Sequence, residues 1–178
     1  MIAAHVRVTT APDYLTRREP HRQAHVERLL LLRSQGLVIA AGPAPDGRSA
    51  EVFYRTSEPG QLERLVTDDP YTRGGAWAAH VARDFSVFVS PASSPPVVLD
   101  GSRLVTILEG PAEDPEKAPL ALAELRAGGR LAFGGLFEEG QTLAVLATDD
   151  PRAATRWLAE TGLWSGDRLT ARPLLYVL

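Results

Sequence analysis

Residues 22–43 read RQAHVERLLLLRSQGLVIAAGP, and this stretch sets the expectations for the whole chain. Its first part places four residues at the i, i+3 and i+4 spacing of one helix face: Arg22, His25, Leu29 and Leu32. Gly36 stands where a left-handed helix C-cap belongs, and an apolar run over residues 37–41 follows it. We therefore predict a helix, a glycine stop and a buried strand, with His25 where the core-facing stripe meets a cleft.

The first half of the chain predicts the order βαββαβ, which is typical of the ferredoxin-like fold. Pro20 suits the first turn of a helix, because the N–H group that proline lacks is not needed there. Residues 11–19 are interpreted as a polar connection. The predicted elements are a strand over 2–9, a helix over 20–35, strands over 37–41 and 50–56, a helix opened by Ser57 and Pro59 and ending near 66, and a strand over 81–89.

The second half repeats this order. Residues 125–135 match residues 32–42 at an offset of 93, and residues 170–174 match residues 81–85 at an offset of 89. Chance alignment of two α+β halves in an alanine-rich chain is the alternative. The predicted elements are strands over 103–109, 130–133, 141–147 and 169–178 and helices over 115–127 and 149–162. The predicted segments are a first domain over 1–90, a Pro- and Ser-rich linker over 91–99 and a degenerate second domain over 100–178.

The repeat also predicts that the polar residues of the first half have no counterparts in the second. His25 aligns with Ala118, and Asp69 aligns near Thr161. The run Asp149-Asp150-Pro151 lies at a predicted helix start, so we interpret it as an N-cap. A site built on His25 and Asp69 would therefore occur once in the chain.

Composition argues against several classes of protein. The chain has 178 residues, of which 44% are hydrophobic and 23% charged, with a net charge of -3 and a pI of about 5.8. This balance argues against a nucleic acid or an anionic membrane as partner, and no apolar run approaches the roughly 20 residues of a membrane span. With no cysteine, disulfides and thiolate metal sites are excluded. We predict a cytoplasmic protein, since the first residues lack a signal-peptide pattern.

Five residues are candidates for a functional site: His25, Asp69, Arg22, Tyr71 and Trp77. The positive end of the helix dipole favours a neutral imidazole at His25, which can act as a base. Asp69 precedes a proline, so we expect an extended backbone and a carboxylate that points into a cleft and orients His25. Arg22 would hold the anionic oxygen of a phenolate, enolate or carboxylate. Tyr71 and Trp77 would form an aromatic wall.

Each candidate also fits a purely structural role. His25 fits a buried, hydrogen-bonded histidine, and Asp69 fits a residue that only shapes an Asp-Pro turn. Arg22 fits a surface ion pair with a neighbouring glutamate, and the two aromatic residues fit the core. His21 and His25 have the i, i+4 spacing of a helical metal site, but no third ligand is placed to complete it, so we predict no metal.

Three motifs resemble those of the YCII-related (YciI-like) family. They are Arg22-x-x-His25, the helix stop and turn at Gly36 and Gly42-Pro43, and Asp69-Pro70-Tyr71. The resemblance covers residues 1–90 well and residues 100–178 only as a degenerate copy. It implies ferredoxin-like domains that pair, sheet against sheet, as dimeric α/β barrels. It also implies a His–Asp site at His25 and Asp69. One branch of that family is associated with the removal of chloride from a chlorinated hydroxyquinol.

We therefore predict an α+β protein of two tandem ferredoxin-like repeats, whose antiparallel sheets pack face to face as a fused dimeric α/β barrel. The predicted function is a lyase or isomerase that needs no cofactor. It would act by proton abstraction or elimination, including dehydrochlorination, on a small hydroxylated aromatic or enol ligand. The alternative is a non-catalytic small-molecule-binding or scaffold protein of the same class. We expect a monomeric pseudo-dimer or a homo-oligomer of it.

Overall fold

The protein is an α+β molecule with two antiparallel sheets, seen in a computed structural model that describes residues 2–58 and 60–178. The first half contributes β1 (Ile2–Thr10), α1 (Tyr14–Arg18), α2 (Arg22–Ser34), β2 (Val38–Pro43), β3 (Ser49–Thr56), α3 (Gln61–Thr67), α4 (Pro70–Arg73), β4 (Trp77–Asp84) and β5 (Val87–Val89). The second half contributes β6 (Leu104–Pro111), α5 (Ala118–Ala127), β7 (Leu131–Leu136), β8 (Gln141–Leu146), α6 (Pro151–Ala159) and β9 (Thr170–Leu175). Within these described ranges, no helix is long and apolar enough to cross a membrane.

The chain divides into two compact units, each assembled from segments that are not contiguous in sequence. Unit 1 contains Met1–Asp84, Pro96–Asp100 and Tyr176–Leu178. Unit 2 contains Phe85–Pro95 and Gly101–Leu175. Each unit has its own sheet and its own hydrophobic core.

The sheet of unit 1 has the strand order β2-β3-β1-β4, and each neighbouring pair is antiparallel. Side chains alternate along β1, so Val6 and Val8 face one side of the sheet and His5 faces the other. Val6 and Val8 belong to the same core cluster as Val52 of β3 and Leu29 of α2. The helix α2 therefore packs on the Val6 face of the sheet.

The sheet of unit 2 has the order β5-β7-β8-β6-β9, and its neighbouring pairs are also antiparallel. Without β5 the order is β7-β8-β6-β9. Counted along the chain within the unit, these are its second, third, first and fourth strands, which is the order found in unit 1. Leu108 of β6 shares a buried cluster with Leu122 of α5 and Leu158 of α6. Both units thus run β-α-β-β-α-β with the same strand order.

Local features recur at equivalent places in the two units. Gly36 and Gly129 follow α2 and α5 with φ angles of 75° and 73°, the left-handed conformation of a glycine C-cap. In both units the next N–H group returns to a leucine carbonyl at 2.9 Å: Leu37 to Leu32, and Arg130 to Leu125. The strands that follow shift register at one matching place: between Val38 and Ala40 in β2, and between Leu131 and Phe133 in β7. The predicted stop at Gly36 is confirmed.

In each unit, a segment from the other half of the chain lies beside the second strand. In unit 1, the N–H groups of Val177 and Leu178 donate to the carbonyl oxygen of Ala41 in β2, at 3.0 and 3.3 Å. In unit 2, β5 pairs with β7, with Phe88 opposite Gly135. The predicted last strand over 169–178 is therefore wrong at its end, because β9 stops at Leu175.

The interpretation of residues 11–19 as a polar connection is wrong, because they contain α1. Tyr14 is the buried residue of this helix, so the segment lacks the repeated apolar stripe that identifies a helix in sequence. A 3₁₀ turn over Glu19–His21 then leads into α2. The helix predicted to begin at Pro20 is thus preceded by a further helical turn.

The prediction of one strand over residues 81–89 is also wrong. β4 ends at Asp84 in the first sheet, and β5 begins at Val87 in the second. Between them, the N–H group of Ser86 donates to the carbonyl of Leu136 at 2.7 Å, so the chain already belongs to unit 2 at this residue. Alternation of apolar residues indicates a strand but does not indicate which sheet it joins.

The start of α3 differs from its prediction as well. Gly60 is its N-cap residue, with a φ of 73°, and Ser57 lies further upstream. The N–H group of Ser57 donates to the side-chain oxygen of Gln61 at 3.0 Å, so this residue is a donor rather than a capping acceptor. The other predicted helix-start residue, Pro59, lies outside the described residues.

Candidate functional site

The centre of the candidate site is a hydrogen-bonded pair formed by His25 and Asp69. Nδ1 of His25 lies 2.7 Å from Oδ1 of Asp69. The side chains are 10% and 0% exposed, so the pair is nearly sealed from solvent. Because an ionised carboxylate only accepts hydrogen bonds, Nδ1 is the donor, so in the neutral tautomer of this pair the lone pair lies on Nε2.

Local backbone structure fixes Asp69 in this position. It is the N-cap residue of α4, with extended φ and ψ of -67° and 135°, and Pro70 follows in the first helical turn. Its Oδ1 atom also accepts from the N–H group of Tyr71 at 2.9 Å. The predicted extended backbone is confirmed, but the expectation that Asp69 points into a cleft is wrong. The carboxylate is fully buried behind His25, because it caps a helix inside the core.

Arg28 holds the other oxygen of this carboxylate. Its Nη1 atom lies 3.3 Å from Oδ2 of Asp69. Arg28 follows His25 by three positions, so the helix places both side chains on the same face. The hydroxyl of Tyr54 lies close to this group: burial raises the pKa of Tyr54 above its ordinary value of 10.0, and the Asp69 charge adds to the effect. The sequence prediction missed Arg28, although its i+3 spacing from His25 was a usable signal.

Two aromatic rings fix the plane of the imidazole. The ring of Tyr71 stacks on His25 with centroids 3.8 Å apart and planes 12° from parallel. Trp77 meets the imidazole edge-on at 5.2 Å and 80°. Burial, with the neighbouring Tyr14 adding to it, raises the pKa of Tyr71 to about 12. His25 can therefore present only one edge away from Asp69.

His25 also lines a cavity of about 130 Å³ within unit 1. The cavity lies between α2 and the helix-facing side of the sheet, since Ala50 and Val52 of β3 form part of its wall. Segments 96–100 and 176–178 also contribute one residue each, Leu99 and Val177. The polar and aromatic lining residues are Tyr14, Arg18, Arg22, His25, Tyr71 and Trp77.

The structure thus brings the predicted site residues together. Four of them line the cavity, and Asp69 contacts it through His25. Arg22 forms no ion pair with a carboxylate among the described residues, and Glu27 instead accepts from Gln23 at 2.9 Å. Tyr14 and Arg18 were missed, because the segment that carries them was interpreted as a connection. The signal available for Arg18 was its position four residues before Arg22.

His21, the other histidine of this region, packs against the backbone. A Cβ atom on Gly74 would lie 2.2 Å from Cδ2 of His21, so the ring occupies the space above that glycine. Over residues 2–58 and 60–178, no group of three or more His, Cys, Asp or Glu side chains is arranged to hold a metal ion.

A second buried polar pair lies on the opposite face of the unit 1 sheet. Nε2 of His5 lies 2.7 Å from Oε2 of Glu51, and both residues are buried. The His5 ring also stacks on Phe53, with centroids 4.9 Å apart. This pair is not part of the cavity wall.

Comparison with known proteins gives information on the fold. No protein-family model matches the sequence, and no curated protein matches it at a significant level. The chain is similar to a proposed monooxygenase from Lactobacillus acidophilus NCFM, with a TM-score of 0.63 and 12% identity, over 98% of this chain and 93% of the other. It is also similar to a proposed monooxygenase from Fusobacterium nucleatum subsp. nucleatum, with a TM-score of 0.57 and 8% identity, over 99% of this chain and 92% of the other.

A third solved structure shows a more distant similarity. It is a 5-chloro-2-hydroxyhydroquinone dehydrochlorinase from Burkholderia phenoliruptrix AC1100 in complex with 2,5-dihydroxybenzoquinone. It covers 45% of this chain and 89% of its own, with 19% identity and a TM-score of 0.40. This similarity is too low to bear on fold or activity.

Proposed function

We propose that unit 1 is the catalytic part of a lyase or isomerase that needs no cofactor and uses His25 as its base. One observation carries the proposal: a histidine held by a buried carboxylate lines a cavity large enough for a small ring. A carboxylate behind an imidazole fixes its tautomer and stabilises the cation formed when it takes a proton. This arrangement favours general base catalysis.

Each residue has a distinct role in the proposed mechanism. Nε2 of His25 removes a proton from a hydroxyl group or an acidic C–H of the bound ligand. Asp69 then faces an imidazolium ion, and the second oxygen of its carboxylate stays bound to Arg28. Tyr71 and Trp77 keep the imidazole plane constant through the transfer. The low exposure of this group strengthens the electrostatic stabilisation.

The ligand determines the outcome of this proton transfer. In an isomerisation, His25 returns the proton to another carbon of the resulting enolate. In an elimination, the electron pair of the broken C–H or O–H bond moves into the ring or enol, and chloride leaves with the electrons of its C–Cl bond. The proton then passes from His25 to water, so the net loss is HCl. Small hydroxylated aromatic and enol compounds support both outcomes.

We also propose that the two units are tandem copies of one domain, whose sheets pack face to face as in a dimeric α/β barrel. The shared strand order, the matching glycine caps and the matching register shifts support the duplication. In this arrangement the second copy retains the fold without the site. The assembly of fused chains, as monomer or homo-oligomer, can be measured by light scattering.

A binding protein without catalysis is the second candidate, and the geometry of Asp69 favours it. Asp69 caps α4 through the N–H group of Tyr71, so it has a structural role whether or not His25 acts as a base. In that case the cavity would take up a small molecule without changing it.

The test is turnover of hydroxylated and chlorinated aromatic and enol compounds by the wild-type chain and by Asp69→Asn. Asparagine can still cap α4, but its amide cannot stabilise an imidazolium ion. We expect turnover to fall by about 10²- to 10⁴-fold, the range typical of a positioned base. The ¹⁵N NMR spectrum of His25 should show a changed tautomer in the variant.

His80→Gln is the matched control, because this histidine is half-buried, pairs with Glu63 and lies outside the cavity wall. Its turnover should equal that of the wild type. Ligand binding without turnover, unaffected by Asp69→Asn, would leave the binding protein as the better description. Equal turnover in Asp69→Asn and wild type would contradict the role of the pair.

A further inference from the structure

We propose that Arg18 and Arg22 form an oxyanion subsite in the cavity, so that the ligand is a single-ring carboxylate rather than an uncharged phenol. The inference rests on the proposed function only for the role of His25, since the subsite binds a part of the ligand that does not react. It extends the predicted role of Arg22 to a pair of guanidinium groups.

The backbone places the two arginines side by side. Arg18 is the last residue of α1, and Arg22 is the first residue of α2. The residues that join them have αR backbone conformation, so the i, i+4 spacing puts both side chains on one side of the helical path. Both line the same cavity as His25. The wall of the cavity therefore includes two arginines as well as the proposed base.

Neither positive charge is neutralised by an acidic partner within the described ranges. Arg18 lies over the Tyr14 ring with its guanidinium carbon 5.2 Å from the centroid, yet its Nε atom is buried without a hydrogen-bond acceptor. The adjacent Arg17 behaves in the opposite way, since its Nε donates to Asp13 at 2.6 Å. The difference between these neighbours leaves Arg18 with an unused donor at the cavity.

The wall contains another unused donor. Trp77 is 6% exposed, and its indole Nε1–H has no acceptor among the residues described. A buried polar group without a partner reduces stability, and this cost is recovered when a ligand supplies the acceptor. The described side chains of the wall include two arginines and no carboxylate. A ligand rich in acceptor oxygens fits this set of donors.

Both arginines also act on the aromatic wall. Their charges lower the pKa of Tyr71, in opposition to the larger effect of its burial. The field of the two guanidinium groups is thus felt at the ring that stacks on His25. An anion bound by both arginines in the cavity would share that cavity with the imidazole.

The size of the partly open cavity suits a ligand of one ring, whose substituents can extend toward solvent. A volume of about 130 Å³ is close to the cavity of roughly 150 Å³ that accommodates benzene in an engineered protein. A planar carboxylate matches the fork of a guanidinium group and can accept two parallel hydrogen bonds. The inferred ligand class is therefore a benzoate or a cyclic enol carboxylate that carries a hydroxyl or halogen on the ring.

The test compares benzoate with the isosteric, uncharged benzamide, by NMR titration of the full chain. We expect benzoate to bind at least 10-fold more tightly. Its affinity should fall as NaCl is added, while that of benzamide should not. Both results come from the wild-type chain and need no variant. Equal binding of the two probes, or tighter binding of phenylphosphonate than of benzoate, would overturn the carboxylate assignment.

Variants then locate the subsite. Arg18→Gln and Arg22→Gln should each weaken benzoate binding by about 10-fold and leave benzamide binding unchanged. Arg17→Gln is the matched control, because this arginine is exposed, pairs with Asp13 and does not line the cavity. Its affinity for benzoate should equal that of the wild type. Retained selectivity for benzoate in both cavity variants would exclude the subsite.

A further variant separates this inference from the proposed function. His25→Gln should abolish turnover and keep the preference for benzoate over benzamide. If the wild type prefers benzoate over benzamide but shows no turnover, the result would contradict the role of His25 as a base and support the arginine subsite. Turnover of uncharged phenols without this preference would contradict the subsite and support the base.

Discussion

Units 1 and 2 build the same helix, glycine stop and strand, and they differ at two of the four positions of the shared stripe. Leu29 and Leu32 of α2 correspond to Leu122 and Leu125 of α5 at the offset of 93, and all four are buried. At the two polar positions, Arg22 corresponds to Pro115 and His25 corresponds to Ala118. The stripe packs in both units, so the fold does not require an imidazole there.

The second polar pair gives the same comparison on the other face of the sheet. β1 places His5 opposite Phe53, and β6 places Ile107 opposite Val145 at the matching register. Glu51 correspondingly matches Leu143. Ile107 and Leu143 are fully buried. Unit 2 therefore fills with hydrocarbon the two positions where unit 1 buries an imidazole and a carboxyl group.

The two buried indoles differ in a similar way. Trp164 of unit 2 donates from Nε1 to the hydroxyl of Thr142 at 3.0 Å. Trp77 of unit 1 has no such acceptor among the described residues. The buried indole of unit 2 thus has an acceptor within its own unit, while the indole of Trp77, which lines the cavity of unit 1, has none among the described residues. An unsatisfied buried donor reduces stability, and the indole N–H of Trp77 is a donor that the proposed ligand would satisfy.

The largest expected effect concerns the His5–Glu51 pair. Glu51→Leu alone should destabilise the protein by about 3–5 kcal/mol, because it removes the carboxyl oxygen that lies 2.7 Å from Nε2 of the buried His5. His5→Ile combined with Glu51→Leu copies unit 2 and should recover stability to within about 1 kcal/mol of the wild type. Urea unfolding measures both changes. A double variant as unstable as the single variant would contradict the equivalence of the two sheets.

A smaller effect is expected when the imidazole is transferred to unit 2. Ala118 is completely buried, so Ala118→His should overpack the core and cost about 1–3 kcal/mol. It should add no activity, since unit 2 lacks the aspartate. Leu120→His is the control, because residue 120 lies on the same helix and is 66% exposed; its stability should stay within about 0.5 kcal/mol. Unchanged stability in Ala118→His would indicate a second cavity.

The smallest expected effect is a loss of stability at alkaline pH. The folded pKa of Tyr71 is about 12, raised chiefly by burial from 10.0. Between these values the unfolded chain loses the phenolic proton first, so stability falls as pH rises through this window and is unaffected below it. At pH 11 the loss should be about 1 kcal/mol. Tyr71→Phe should remove this part of the decrease in Tm between pH 9 and pH 11. An identical decrease in both proteins would contradict it.

The features that the sequence predicts best are those that depend on local periodicity. The stripe from His25 to Leu32, the stop at Gly36 and the strand after it are short-range patterns, and the structure contains them at nearly the predicted limits. The cap at Asp150 follows from its Asp-Pro pair and accepts from the N–H group of Arg152 at 2.9 Å. These features depend on neighbouring residues, so the sequence alone contains the information.

The sequence could not predict what depends on distant contacts. α1 places only two residues on the cavity wall, too few to form a periodic signal, and Arg18 was missed with it. The break between β4 and β5 depends on a hydrogen bond from Ser86 to Leu136, fifty positions away. The contact between His25 and Asp69, 44 positions apart, was expected mainly from the family resemblance. Its geometry behind the imidazole, with Arg28 on the other oxygen, depends on how α2 packs against α4 and is not contained in a local sequence pattern.

The exchange of segments between the units also affects the order in which the protein folds. Val177 completes the cavity wall of unit 1, yet it follows the whole of β6–β9 in the sequence. Closing so long a loop before any contact forms is entropically unfavourable, and contacts of high sequence separation generally form late and slowly. The cavity should therefore mature after both sheets have formed. For the same reason, a fragment that ends at Asp84 would lack two of the residues that line the cavity, Leu99 and Val177.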